Sequence, residues 1–273
     1  SENVTLYETP TGDAWCRDSG PTFLVHPDGR LGAVHWTFNG WGDRGFSDPT
    51  DEQHVGGFIA GLAGAEIFRS SMVNEGGGIH VDGDGTVLVT ETVQLDTNRN
   101  PDWNGEQVDL ELKSYLGIEK AIWLPRGLSR DYGTYGTNGH VDICACFVEP
   151  GLVLAHAQLD PAHPDFEVTR EYIAMLRATT DAKGRPLNVV EVPAPTVIDD
   201  EEGFVDWSYL NHYVCNGAVI LCSFDDANDD VAADILRRVY SGREIVLHDA
   251  RDIFACGGGI HCITQQEPRS GVA

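Results

Sequence analysis

The sequence predicts an α/β protein assembled from repeated modules around a shared centre. Three observations carry that prediction. A strand–helix–strand cadence recurs four times along the chain. Polar, glycine-rich strings fall in these rounds at 13–21, 74–82, 137–142 and 257–266, places that read as equivalent. One rare string also occurs twice, as Gly76-Gly77-Gly78-Ile79-His80 and Gly257-Gly258-Gly259-Ile260-His261, and only the second copy is followed by a cysteine, Cys262.

Taken in order, the first round has strands at 22–25 and 31–38, a helix with one face marked by Val55, Phe58, Ile59 and Leu62, and a strand at 66–69. The second has a strand at 86–90, a helix carrying Val108, Leu112, Tyr115 and Leu116, and a strand at 120–124. The third has strands at 143–148 and 152–155, a helix with Tyr172, Met175 and Leu176, and a strand at 188–192. The fourth has a strand at 218–224, a helix with Val231, Ile235 and Val239, and a strand at 244–247. The strands after the helices therefore recur at about 55 to 70 residues. A unit of this kind cannot cover its own sheet, so neighbours must pack together, and radial stacking aims one loop of each at a common axis. A doubly wound sheet is the alternative, but no Gly-x-Gly-x-x-Gly string follows a strand, and Gly76-Gly77-Gly78 precedes one. Segments 39–50, 126–139 and 193–206, rich in Gly, Pro or Asp, read as loops. The whole of 1–273 reads as a single domain.

With 273 residues, 41% of them hydrophobic, the chain can bury a sizeable core. The most apolar stretch, 143–157, is interrupted by Glu149, Pro150 and Gly151, and no run has the length of a membrane span. A net charge of -25 argues against nucleic acid and anionic membranes as partners and suits a small cation, although most of that charge reads as a solubilising shell. Seven irregularly spaced cysteines in a chain of this size point to a reduced, cytoplasmic setting.

The strings Trp15-Cys16-Arg17-Asp18-Ser19-Gly20-Pro21-Thr22, Glu75-Gly76-Gly77, Asn98-Arg99-Asn100-Pro101, Trp123-Leu124-Pro125-Arg126-Gly127, Thr137-Asn138-Gly139-His140-Val141-Asp142 and Gly258-Gly259-Ile260-His261-Cys262-Ile263-Thr264-Gln265-Gln266 resemble those of agmatine deiminases. More broadly they resemble the bacterial peptidylarginine-deiminase type of the guanidine-modifying superfamily, in order along nearly the whole chain. The resemblance implies a five-bladed α/β propeller of ββαβ modules and a cysteine hydrolase that needs no metal or organic cofactor. It places the nucleophile on Cys262, the general acid/base on His140, the guanidinium-binding carboxylates on Asp18 and Asp142, and the histidine-pairing glutamate on Glu75. It also suggests a homo-oligomer.

Chemistry leads to the same residues. A guanidinium is flat, cationic and resonance-stabilised, so its carbon is a poor electrophile. Two carboxylates can fix its plane by charge-assisted hydrogen bonds, and a thiolate is the competent nucleophile. The bound cation, or a protonated His140, can lower the thiol's pKa, and Glu75 can hold the imidazole in its charged form. Trp15, Trp41 and Tyr135 are expected to line the pocket around a small cationic or nitrogen-rich planar substrate.

Duller readings compete. Cys16, Cys144, Cys146, Cys215, Cys222 and Cys256 read as packing residues, and His80 and His261 as loop structure. His80-x-Asp82 and His140-x-Asp142 lack the companion ligands that a metal site needs. The resemblance also implies a further N-terminal segment with a Trp-bearing string, so most of one module is expected to be missing ahead of Ser1, which would leave a strand edge open. Loops 43–51 and 131–136 depart from the family pattern, and both are expected at the pocket mouth, where the substrate's tail sits. Agmatine is the default substrate. Arginine, another amidine-like compound such as a 2-substituted imidazole, a non-catalytic propeller and a metallohydrolase are the rival readings.

Overall fold

The computed structural model describes residues 3–43, 45, 49–201 and 203–269. Parts of the expected loops at 39–50, 43–51 and 193–206, namely residues 44, 46–48 and 202, lie outside the described residues.

Four three-stranded sheets follow one another along the chain, each with the same connectivity. In the first, β1 (Thr22–Val25) pairs antiparallel with β2 (Leu31–Thr37), and the helix Val55–Leu62 leads to β3 (Glu66–Val73), parallel to β2. In the second, β4 (Ile79–Val81) and β5 (Thr86–Thr90) form the hairpin, and the helix Gly105–Leu116 leads to β6 (Lys120–Leu124). The third is β7 (Ala145–Glu149), β8 (Leu152–Ala157), the helix Asp165–Arg177 and β9 (Asn188–Pro193). A small hairpin, β10 (Asp199–Asp200) with β11 (Gly203–Phe204), precedes the fourth module: β12 (Tyr213–Cys215), β13 (Ala218–Ser223), the helix Asp229–Val239 and β14 (Glu244–Asp249). This is an α/β fold of several small sheets.

The modules hold together because successive side chains of a strand point to opposite faces. On β5, Val87 and Val89 join a cluster with Val34, Trp36 and Met72 of the first module, whereas Leu88 joins a cluster with Phe147, Val153 and Ala155 of the third. On β8, Leu154 turns the other way from Val153 and Ala155, towards Leu221, Phe224 and Leu236 of the fourth. Each hydrophobic cluster is therefore shared between consecutive modules. The central strands read as continuous apolar runs because both their faces are covered. Local signals agree with this packing: the helix Gly105–Leu116 opens on a reciprocal capping box between Asn104 and Gln107 and closes on left-handed Gly117.

Several expectations need correction. The strands at 22–25, 86–90 and 120–124 stand where the sequence placed them, but β3, β8 and β14 run on past their expected ends. The third hairpin begins at Ala145, because Val141–Ile143 forms a 3-10 turn. Leu62, Met175 and Val231 are exposed. The helices bury Ala60, Ile173 and the pair Ala232 and Ala233 as well, since small residues let a helix approach its sheet closely. The three-residue strands β4 and β12 are too short for a periodic signal. The string at 257–266 is not the fourth module's counterpart of the other three loops. It follows β14, and the segment that leads into β12 is 205–212. Among the described residues, no helix is long and apolar enough to cross a membrane.

Leu154, fully buried where the third and fourth modules meet, reports on this shared packing. Leu154→Ala is expected to lower the unfolding free energy by about 2–5 kcal/mol in urea denaturation. A loss well under 1 kcal/mol would contradict the shared-core account.

Candidate active site

Four loops that each lead into the first strand of a module supply most of the site. The helical turn Cys16–Ser19 carries Asp18 ahead of β1, Glu75 precedes β4, His140 and Asp142 precede β7, and Asn211 precedes β12. The loop after β14 brings Cys262, and the Arg17 backbone N–H donates to the Cys262 carbonyl at 3.0 Å, tying the first and last loops together.

Asp18 is buried and accepts two hydrogen bonds, from the Gly77 backbone N–H to Oδ1 at 2.8 Å and from the Trp41 indole to Oδ2 at 2.9 Å. Both donors depend on unusual backbone. A Cβ on Gly77 would lie 2.5 Å from His140 Nδ1, so only glycine allows the approach. Gly40, Trp41, Gly42 and Asp43 all have positive φ, a left-handed turn that costs roughly 1–2 kcal/mol per non-glycine residue. Edge-to-face packing of Trp41 on Phe38 and the Asn39 side-chain Oδ1 accepting from Gly42 N–H hold that turn.

His140 lies between two acids. Its Nε2 is 3.4 Å from Glu75 Oε2, and its Nδ1 is 3.9 Å from Asp18 Oδ2, with no hydrogen-bond partner. Glu75 in turn accepts from Arg99 Nε at 2.9 and 3.1 Å, and Arg99 also donates to Asp96 and to the Thr137 carbonyl. The His140 backbone is fixed by Asp131, whose buried carboxylate accepts from the N–H groups of Thr137, Gly139 and His140 and from the Thr137 hydroxyl, at 2.6 to 2.9 Å.

On the other side, Asp142 Oδ2 accepts from His261 Nδ1 at 2.7 Å and Asn211 Nδ2 at 3.1 Å, and lies 3.7 Å from the Cys262 sulfur. Its Oδ1 is buried without a partner. A cavity of about 770 Å³ opens over Cys262, lined by Asp18, Trp15, Trp41, Tyr135, Asp13 and Asp252 among others. His140, Glu75 and Asp142 do not line it. They are buried behind it, and Asp142 borders a second cavity of about 270 Å³ together with His80, His261 and Arg17.

Charge and burial act against each other here. Burial alone would push the His140 imidazole down, but Asp18, Glu75 and Asp142 outweigh it and raise its pKa to about 9, so the ring is protonated at neutral pH. Burial would raise Glu75, yet Arg99 and His140 hold it below the usual carboxylate range. Asp18 and Asp142 are raised, chiefly by burial. The Cys262 thiol is pushed well above its usual value, by burial first and then by Asp142 and Asp18. Among the described residues, no group of three or more His, Cys, Asp or Glu side chains is gathered as a metal site requires.

All eight residues singled out in the sequence are gathered in this region, five around the large cavity and three behind it. Sequence reading missed Asn211, Arg99 and Asp131 as participants. Arg99 sits in a quoted string, and Asn211 lies in the loop before its module's first strand, as Asp18, Glu75 and His140 do in theirs. His261 does more than shape its loop, since it hydrogen-bonds Asp142. Cys256 is exposed at the cavity and Cys16 and Cys215 are half-buried, whereas Cys144, Cys146 and Cys222 are buried as expected.

The raised His140 pKa links protonation to stability. Below the unfolded value near 6.5 the stabilisation is fully present, and it fades as pH rises through about 9. The stability gap between the wild type and His140→Gln is therefore expected to be larger at pH 6 than at pH 10 in chemical denaturation. A gap that holds constant or widens at pH 10 would contradict this charge state.

A family model described as Porphyromonas-type peptidyl-arginine deiminase matches residues 1–268. Over 269 residues the chain is 56% identical to a Streptomyces coelicolor protein provisionally named an agmatine deiminase, covering 98% of this chain and 79% of that one. It is 39% identical over 298 residues to the agmatine deiminase of Medicago truncatula, covering 98% and 79%. The solved structure of the Enterococcus faecalis agmatine deiminase matches with a TM-score of 0.88 at 35% identity, over 93% of this chain and 74% of that one. The chain belongs to the Porphyromonas-type peptidyl-arginine deiminase family.

Proposed function

We propose that this chain is an agmatine deiminase, a cysteine hydrolase that converts agmatine and water to N-carbamoylputrescine and ammonia. The observation that carries the reading is a cavity whose wall holds the Cys262 thiol and the buried Asp18 carboxylate, backed by Asp142 at 3.7 Å from the sulfur and by His140, whose unpartnered Nδ1 lies 3.9 Å from Asp18. A buried polar atom without a partner costs about 1–3 kcal/mol, and a guanidinium offers matching donors to the carboxylates. The relatives' names supply the substrate, and Asp13 and Asp252 around the cavity favour an amine tail over the carboxylate-bearing tail of arginine.

In this reading Asp18 and Asp142 hold the guanidinium, and its positive charge offsets the carboxylates that disfavour the Cys262 thiolate. The thiolate attacks the guanidinium carbon, forming the C–S bond. His140 gives its proton to the departing nitrogen, the C–N bond breaks, and ammonia leaves a thiouronium on Cys262. The neutral imidazole then takes a proton from water, whose oxygen adds to the same carbon. The C–S bond breaks, returning the thiolate, and the added hydroxyl gives up its remaining proton to ammonia or solvent as the ureido product is released. Glu75, anchored by Arg99, keeps the ring oriented.

The finer architecture belongs to the same proposal. The four ββαβ modules are blades of a five-bladed propeller, and the chain is one catalytic domain. Its partner is a small cation rather than nucleic acid or a membrane, and seven unpaired cysteines suit a cytoplasmic setting.

Incubation with agmatine should release ammonia and N-carbamoylputrescine in equal amounts, and Cys262→Ser should reduce turnover by at least about a thousandfold. No product from folded wild-type protein, or unchanged turnover in Cys262→Ser, would overturn the reading.

A further inference from the structure

Asn211 lies in the loop that leads into the first strand of the fourth module, as Asp18, Glu75 and His140 do in theirs, and it is fully buried. Its amide orientation is set by its own neighbours. Oδ1 accepts from the His261 backbone N–H at 3.0 Å and from the Cys262 N–H at 3.4 Å. Nδ2 must then face the opposite way, and it lies 3.2 Å from the Cys262 sulfur and 3.1 Å from Asp142 Oδ2. Close packing enforces the arrangement: a Cβ on Gly259 would come within 2.5 Å of Asn211 Oδ1, so the glycine string is what lets the cysteine loop rest on this amide.

We propose that Asn211 is a further catalytic residue, whose Nδ2–H donates to the Cys262 sulfur in its thiolate form while its Oδ1 anchors the loop that carries that sulfur. The proposal rests on Cys262 being the nucleophile. The donor serves the reaction twice. It stabilises the thiolate before attack, and it receives the thiolate again when the C–S bond breaks. The thiol can itself donate to Asp142 Oδ2 at 3.7 Å or Asn211 Oδ1 at 3.5 Å, but a thiolate is a much stronger acceptor than a thiol, so the amide donor favours the charged form. The other charged groups acting on the sulfur pull in both directions: Asp142 and Asp18 oppose the thiolate, and Arg17 favours it. The backbone at Gly259 and the Asn211 side chain pull towards the thiolate. Because Nδ2 also holds Asp142 Oδ2, one amide fixes the sulfur and a guanidinium-binding carboxylate relative to each other.

The test is the pH profile of Cys262 alkylation by iodoacetamide, followed by peptide mass spectrometry, with kcat and KM for agmatine measured in parallel. Asn211→Ala should move the alkylation profile up by about one pH unit or more and lower kcat at least about tenfold, with KM rising as well because Asp142 loses a partner. If Asn211→Ala does not fold, Asn211→Leu, which keeps the shape and removes the donor without adding a charge, serves in its place with the same expected direction. A purely structural role would change melting temperature and KM but leave the alkylation profile in place, and an unmoved profile in a folded variant overturns the proposal. If wild type turns over agmatine while the variant's profile matches it, this proposal alone fails. If wild-type Cys262 resists alkylation throughout and agmatine is untouched, the nucleophile assignment fails and takes this proposal with it.

Discussion

Three carboxylates, Asp18, Glu75 and Asp142, are buried within electrostatic reach of one another, and only Glu75 is bonded to an arginine. Bringing such charges out of water is costly unless each meets a cation or enough donors. The chain meets the cost unequally. Glu75 has Arg99, Asp18 has an indole, a backbone amide and the nearby imidazolium, and Asp142 has a histidine, an amide and one oxygen with no partner. What remains is an acidic site that raises His140, suppresses the Cys262 thiolate, and is best completed by a flat cation.

The fold produces that concentration of charge without a dedicated polar core. Each sheet covers its faces with neighbouring modules, so the loops leading into the first strands are brought together and each needs to supply only one or two groups. Precision comes from their supports. Asp131 collects the N–H groups of the His140 loop, Arg99 ties Glu75 to Thr137 and Asp96, and a left-handed turn at 40–43 aims the Trp41 indole at Asp18. Backbone strain of this kind persists where the surroundings over-determine it.

Much of this was legible in the sequence, for physical reasons that differ by residue. The cadence of strands and helices showed because central strands buried on both faces, such as β5 and β8, leave unbroken apolar runs. Cys262, His140, Glu75, Asp18 and Asp142 showed because they stand in strings that resemble, in order, those of a known family, and because their chemistry suits a flat cation. Asn211 did not, because a lone Asn before a three-residue strand leaves no periodic signal, and the duplicated glycine string at 257–266 drew the repeat one loop too far along. Leu62, Met175 and Val231 carry the helical spacing yet are exposed, because that spacing defines a face only to within a residue and alanines can take the inner positions. Arg99 acts on Glu75 and Thr137, tens of positions away, and Asp131 on backbone N–H groups of a loop, and nothing local in a sequence marks either kind of hydrogen bond.

The central claim is that a guanidinium completes this acidic site and is attacked there by sulfur. Acid quenching of the protein during turnover of agmatine, followed by mass spectrometry of the Cys262 peptide, tests it most directly. The account predicts a peptide heavier by agmatine less ammonia, confined to Cys262 and accumulating most when the second half-reaction is slowed. Turnover of agmatine with no adduct at Cys262 under any quench condition, or the same adduct on another cysteine such as Cys256, would contradict it.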